Sequence, residues 1–178
     1  IYYELMKFTK LKQTILKKRF DKSLSENIKN RIVSQKEIQS VGIITSEKIT
    51  SKINVQKQIE TILGVRNSKM YSFRNFNKLD ELSYKHFSEN DINWNGQFVE
   101  PSFQSFLEQP FDLLIGFYKN SNLYLENAIL QSKSTFKVGF SNVNPSLYEI
   151  EISGDTDNIN AFCKELKKYL VVLKKLKN

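Results

Sequence analysis

Side chains able to carry chemistry are sparse in this chain of 178 residues. His86 is the only histidine and Cys163 the only cysteine. A catalytic imidazole needs a nucleophile or carboxylate beside it, and the run YKHFSEND offers Ser88, Glu89 and Asp91. Without such a contact His86 reads as a surface or structural residue. Cys163 falls on the apolar stripe of the last expected helix, where a thiol is buried and inert. One histidine and one cysteine argue against a zinc site, so neither metal nor cofactor is expected. Carboxylates pair at Asp80 and Glu81, Glu89 and Asp91, and Glu149 and Glu151. The last pair shares one face of an alternating strand, which reads as the solvent side of a sheet edge. The chain contains no G-x-G-x-x-G, phosphate-loop lysine motif or G-x-S-x-G elbow.

One place remains for a site: the carboxyl ends of the strands, where open α/β sheets hold ligands. The strand FDLLIGFYKN, 111–120, runs from a buried apolar core into polar residues. The expected strand ends supply Thr45, Ser46 and Glu47, then Arg74 and Asn75, then Tyr118, Lys119 and Asn120, then Ser141 and Asn142. Ser46, Arg74, Lys119, Asn120 and Asn142 form the candidate ligand set, suited to a small anion or a sugar. Glu47 is the one candidate base among these groups. The competing reading is that polar residues stand there because strands end at the surface.

The elements that position these residues follow from periodicity. Leu5, Phe8, Leu11, Ile15, Leu16, Phe20, Leu24, Ile28 and Ile32 recur at helical steps of three or four. SLSE, 23–26, matches a capping box and predicts a break between two helices near Phe20. SVGIIT predicts a strand, NVQKQIETILG a helix stopped by Gly64, and KMYSFRNF a second strand. Residues 77–100 are ambiguous: KLDELSYKHF fits a helix and DINWNGQF a loop with a turn at Asn95–Gly96. Pro101 opens a short helix. After strand 111–118 come helix NLYLENAILQSK, strand TFKVGF, turn SNVNPS and strand LYEIEI. That short turn predicts an antiparallel hairpin. Asp155 or Asp157 is the expected cap of a long last helix. Strands alternating with helices predict a three-layer, Rossmann-like α/β domain, mostly parallel, with one antiparallel edge hairpin. The expected division is a basic helical extension, 1–36, and an α/β domain, 37–178.

Charge is unevenly laid out. Residues 1–36 hold ten Lys/Arg against Glu4, Asp21 and Glu26, a net +7. Residues 164–178 hold six lysines against Glu165, a net +5, and the segment between them is net −4. Lys7, Lys10, Lys12, Lys17, Lys18, Arg19 and Lys22 are the candidate docking residues for an anionic partner: RNA or a ribonucleoprotein, an acidic protein, or an anionic membrane surface. No apolar run reaches the ~20 residues of a membrane span. The N-terminus lacks the pattern of a secretory signal, and cytoplasmic location is the expectation. Together these features predict a non-enzymatic module that docks through basic helices. The alternative is a nucleotide- or sugar-handling enzyme or binding protein that uses the strand-end crevice.

The run FDLLIGFYKNSNLYLENAILQSKSTFKVGF, with the following YEIEI and the lysine-rich last helix, resembles a family of small uncharacterised α/β proteins from flavobacteria and relatives. The basic helical start and SVGII belong to the same resemblance, which implies the fold and no activity. The same run is similar to the N-terminal half of bacterial heptosyltransferases, with their strand–helix–strand pattern. Those enzymes need a second half to hold the nucleotide-sugar and a glycine-rich early loop. VGIITSEKIT has only Gly42, so this likeness implies shared architecture and not shared chemistry.

Overall fold

The β-branched run VGIITS forms β1 (Val41–Ser46), buried on both faces up to its last residue. In the computed structural model, which describes residues 2–81 and 83–177, five further strands pair with it: β2 (Lys69–Phe73), β3 (His86–Phe87), β4 (Leu113–Phe117), β5 (Lys137–Phe140) and β6 (Ile150–Ile152). Their order is β3-β2-β1-β4-β5-β6, and every pairing is parallel. This is the strand order of a doubly wound sheet. Registers such as Ile44 opposite Tyr71 on one side and Gly116 on the other align the carboxyl ends of β1, β2 and β4.

Helices cover both faces, as near-continuous apolar strands require. On one side α3 (Val55–Leu63) packs against α6 (Ile159–Val172), and Phe162 meets Phe117 and Phe140 of the sheet. On the other lie α4 (Pro101–Glu108) and α5 (Leu123–Gln131). There Tyr71 meets Phe103 and Phe106, and Phe73 stacks on Tyr124. The first helix, α1 (Tyr2–Asn30), packs over α5, with Leu16 and Phe20 buried in the same core as the sheet. A short α2 (Glu47–Thr50) follows β1 directly.

The expected antiparallel edge is not present. The nine residues between β5 and β6 carry the chain back along the sheet to a parallel neighbour. β5 is only four residues long, about 13 Å, and nine residues reach roughly twice that. Val143, Leu147 and Tyr148 are buried along the way, in place of a crossover helix. Glu149 is correspondingly not on a solvent face: it accepts from the backbone N–H of Lys137 and lies 3.4 Å from the Arg31 guanidinium.

Three smaller expectations also change. α1 continues through the SLSE capping box, because Leu24 extends the Leu16–Phe20 stripe and Ser25 Oγ bonds back to the Asp21 carbonyl. α6 is capped by Asn158, whose Oδ1 accepts from Ala161 N at 3.0 Å, not by Asp155 or Asp157. The stretch KLDELSYKHF, 78–87, holds no helix among its described residues and ends in β3. No helix among the described residues is long and apolar enough to cross a membrane.

Candidate functional site

The chain leaving β1 turns to the α3 face of the sheet and the chain leaving β4 turns to the α5 face. Their divergence opens a crevice at the carboxyl ends of the strands, where doubly wound sheets bind ligands. It encloses about 990 Å³, within the range of small-molecule sites. Ser46, Arg74, Lys119 and Asn120 of the expected set all line it, and Asn142 does not. Thr45 is drawn inward instead, donating its hydroxyl to the Phe117 carbonyl at 2.8 Å.

These residues divide by whether the fold already uses them. Arg74 is committed: Nε is 3.7 Å from Asp80 and Nη2 donates to the Glu81 carbonyl at 2.8 Å, which pins the loop after β2. Lys119 pairs with Asp155, and that ion pair holds the Asp155 carboxyl below its usual range. Ser46, Lys48, Lys52, Asn75 and Asn120 contrast with them. Their side chains make no hydrogen bond or ion pair with any other described residue. Lys48 and Lys52 escape sequence reasoning because no motif marks them, whereas Asn75 is among the expected strand-end residues but outside the candidate ligand set. The one signal of the two lysines is position: α2 follows β1 without a loop, which brings Lys48, and Lys52 in the turn after it, to the strand end.

Phe73, Tyr118 and Leu125 give the floor an apolar part, and Phe76 stands half exposed at the wall. Asn122 caps α5 and lines the crevice too. Its Oδ1 accepts from Tyr124 N at 2.9 Å and Leu125 N at 3.0 Å, so these first-turn donors are already used. The site therefore presents side-chain amides, hydroxyls and two lysines, and not a phosphate-binding helix end.

His86 meets partners other than those its sequence neighbours suggested. Its Nδ1 is 2.7 Å from Ser83 Oγ, and Nε2 is 3.9 Å from Glu47. Ser83 Oγ also accepts from Lys85 N, a local turn that leads into β3. Burial and the nearby Arg74 lower the His86 pKa. The imidazole is thus neutral near pH 7, at a distance from Glu47 too long for a hydrogen bond. Ser88 and Asp91 cap their own turn, with Asp91 Oδ2 accepting from Ser88 N at 2.7 Å, and Glu89 accepts from Phe76 N. Cys163 is fully buried, its thiol pushed up to about 12 by burial. Among the described residues no group of His, Cys, Asp and Glu is placed to hold a metal ion.

The candidate docking residues are spread around α1. Lys12 turns to the Glu89 carbonyl at 3.5 Å, Lys17 pairs with Asp21 at 2.6 Å, and Arg19 lies beside Gly96. Lys7, Lys10, Lys18 and Lys22 are exposed. The basic C-terminal segment does not extend this face, because α6 lies on the opposite side of the sheet. Its Lys167 donates to the Ile62 carbonyl, and Lys175, fully buried, donates to the Ser34 carbonyl at 2.6 Å.

Over residues 12–173 the chain matches the model of a family described as "Family of unknown function (DUF6913)". The match spans β1 to β6 and most of both terminal helices, and the protein belongs to that family. No curated protein and no solved structure matches the chain.

Proposed function

We propose that the protein binds a small polar ligand, of the nucleotide or sugar-phosphate kind, in the crevice at the ends of β1, β2 and β4. The observation that carries this reading is the set of unengaged side chains gathered there: Ser46, Lys48, Lys52, Asn75 and Asn120. Polar groups left without protein partners around one concavity are what a hydroxyl- and phosphate-bearing molecule requires. The reading is one of binding: the hydroxyl–carboxylate contacts on the crevice lining, Ser121 with Glu126 at 3.1 Å and Thr156 with Asp155 at 3.4 Å, include no histidine. A thermal-shift screen of nucleotides and sugar phosphates tests it. A ligand present at ~100 times its Kd adds about 2.7 kcal/mol to stability, which raises Tm by several degrees in a domain of this size. Asn120→Ala and Lys52→Ala reduce the rise without lowering the Tm of the free protein. Absence of any shift across the screen overturns the reading.

A second reading rests on α1: docking to an anionic partner through Lys7, Lys10, Lys18 and Lys22. Its support is that these lysines stand exposed on a helix anchored to the body by Leu16 and Phe20. Binding that weakens steeply with salt, and disappears when the four are changed to glutamine, is the expected outcome in co-sedimentation.

A further inference from the structure

The packed stripe of α1 begins only at its middle. Leu16 and Phe20 are buried, but Phe8 is 65% exposed, Leu11 53% and Met6 46%. Beside them stands the only tryptophan of the chain, Trp94, 40% exposed, its ring edge-on to Phe8 with centroids 5.8 Å apart. Phe8, Leu11, Lys18, Lys22 and Lys29 follow one another at steps of 3, 7, 4 and 7 residues, which at 3.6 residues per turn is a single helix row. One row is thus apolar at its N-terminal end and net basic over the rest, where Lys18, Lys22 and Lys29 outnumber Glu26.

Carboxylates are present but outnumbered. In the neighbouring loop Asp91 accepts from Ser88 N and Glu89 from Phe76 N. On α1, Asp21 pairs with Lys17, and exposed Glu26 stands between Lys22 and Lys29. The surface therefore joins exposed aromatic and aliphatic side chains to a net-basic row, with Trp94 beside Phe8. Nucleic acid would use the lysines and stack bases on the two rings, leaving the aliphatic Leu11 in water. An anionic bilayer uses both, taking apolar side chains to the acyl boundary and holding lysines at the headgroups.

We infer that the partner in the α1 docking reading is an anionic lipid surface, entered by Phe8, Leu11 and Trp94 and held by Lys18, Lys22 and Lys29. This deepens the second reading above and is independent of the crevice. The protein inserts as a peripheral body, with α1 lying along the interface.

Trp94, as the sole tryptophan, makes the test direct. The full chain is mixed with vesicles of phosphatidylcholine alone, of phosphatidylcholine with phosphatidylglycerol, and with single-stranded RNA homopolymer. The expected result is sedimentation with the phosphatidylglycerol vesicles only, accompanied by a blue shift of Trp94 emission and quenching by brominated lipid. Phe8→Ser with Leu11→Ser removes the shift. Lys18→Gln and Lys22→Gln each weaken binding about fivefold. All four side chains are exposed, and circular dichroism and Tm of the variants check that the fold is kept. Vesicle binding without any change in Trp94 emission overturns insertion. Binding of RNA but not vesicles overturns the lipid assignment while sparing the docking reading. Binding to neither overturns both.

Discussion

The ring of Tyr148 lies directly against Gly139, and its hydroxyl passes Gly116 to donate to the Tyr118 hydroxyl at 3.0 Å. A Cβ on Gly139 would overlap the ring, and one on Gly116 would stand 2.5 Å from the hydroxyl oxygen. Two glycines on neighbouring strands thus make the trough that lets the β5–β6 connection lie on the sheet and brace Tyr118, a wall of the crevice. Gly139→Ala is expected to destabilise the protein by about 2 kcal/mol through overpacking. The cost shrinks in a Tyr148→Leu background, where the ring is gone. Urea unfolding of the double-mutant cycle checks this, and equal costs in both backgrounds would show that Tyr148 is not the obstacle.

Lys137 is buried at the carboxyl end of α5, where its amine donates to the Ile129 carbonyl at 2.6 Å. Burial lowers its pKa from 10.5 to about 8, with Glu149 opposing the shift. The unfolded chain then holds a proton that the folded chain has released between those two values. Stability attributable to this group is therefore lowest below about pH 8 and rises up to about pH 10.5. The full rise is about 3 kcal/mol. Unfolding free energies of wild type and Lys137→Met between about pH 7 and pH 10 should diverge in favour of wild type as pH rises. Parallel curves would place the charge of Lys137 in solvent contact.

Most of the fold was legible because its strands are apolar runs bounded by breakers. VGIITS, KMYSF, LLIGF and KVGF are all strands, and α3, α5 and α6 are helices where helices were expected. What was not legible depends on length against distance. The six-residue turn SNVNPS reads as a hairpin because LYE looks like strand; β6 begins only at Ile150, and the nine residues before it are enough to traverse the short β5. β3, two residues long, carries no periodicity at all and exists by pairing with Ser72 and Phe73.

For the crevice, parallel topology alone carries Ser46, Arg74, Lys119 and Asn120 to one end of the sheet. Sequence could not separate spent groups from available ones. Arg74 and Lys119 are the most conspicuous residues in the string, yet both are engaged by carboxylates, while Lys48 and Lys52 look like ordinary surface lysines.

The same blindness applies to the basic C-terminus, where Lys175 and Lys177 look alike. Lys175 Nζ bonds the Ser34 carbonyl and sits 4.2 Å from the Phe136 ring centroid, and the Lys175 carbonyl accepts from Ile38 N. It ties the α1–β1 connection to the end of the chain. Lys177 lies exposed, 3.6 Å from Glu37. Lys175→Met is expected to cost about 2 kcal/mol, as for loss of charge-assisted hydrogen bonds. Lys177→Ala should cost under about 0.5 kcal/mol. Chemical denaturation distinguishes them, and comparable losses would mean that Lys175 is not the tie.

Crevice variants should divide along the same line between committed and available groups. Arg74→Ala frees Asp80 and the Glu81 carbonyl, so it loosens the 74–81 loop and lowers both stability and ligand affinity. Lys52→Ala and Ser46→Ala disturb no contact within the protein, so they lower affinity alone. Loss of a charge-assisted contact to the ligand should weaken binding roughly tenfold or more for Lys52, and loss of a neutral one a few-fold for Ser46. Asn142→Ala, outside the crevice, should leave both quantities unchanged. Paired measurements of Tm without ligand and of Kd by calorimetry, on a ligand from the screen, place each variant. If Asn142→Ala weakens binding as much as Lys52→Ala, the ligand extends beyond β4 toward the end of β5, and the divergence of β1 and β4 is not what positions it.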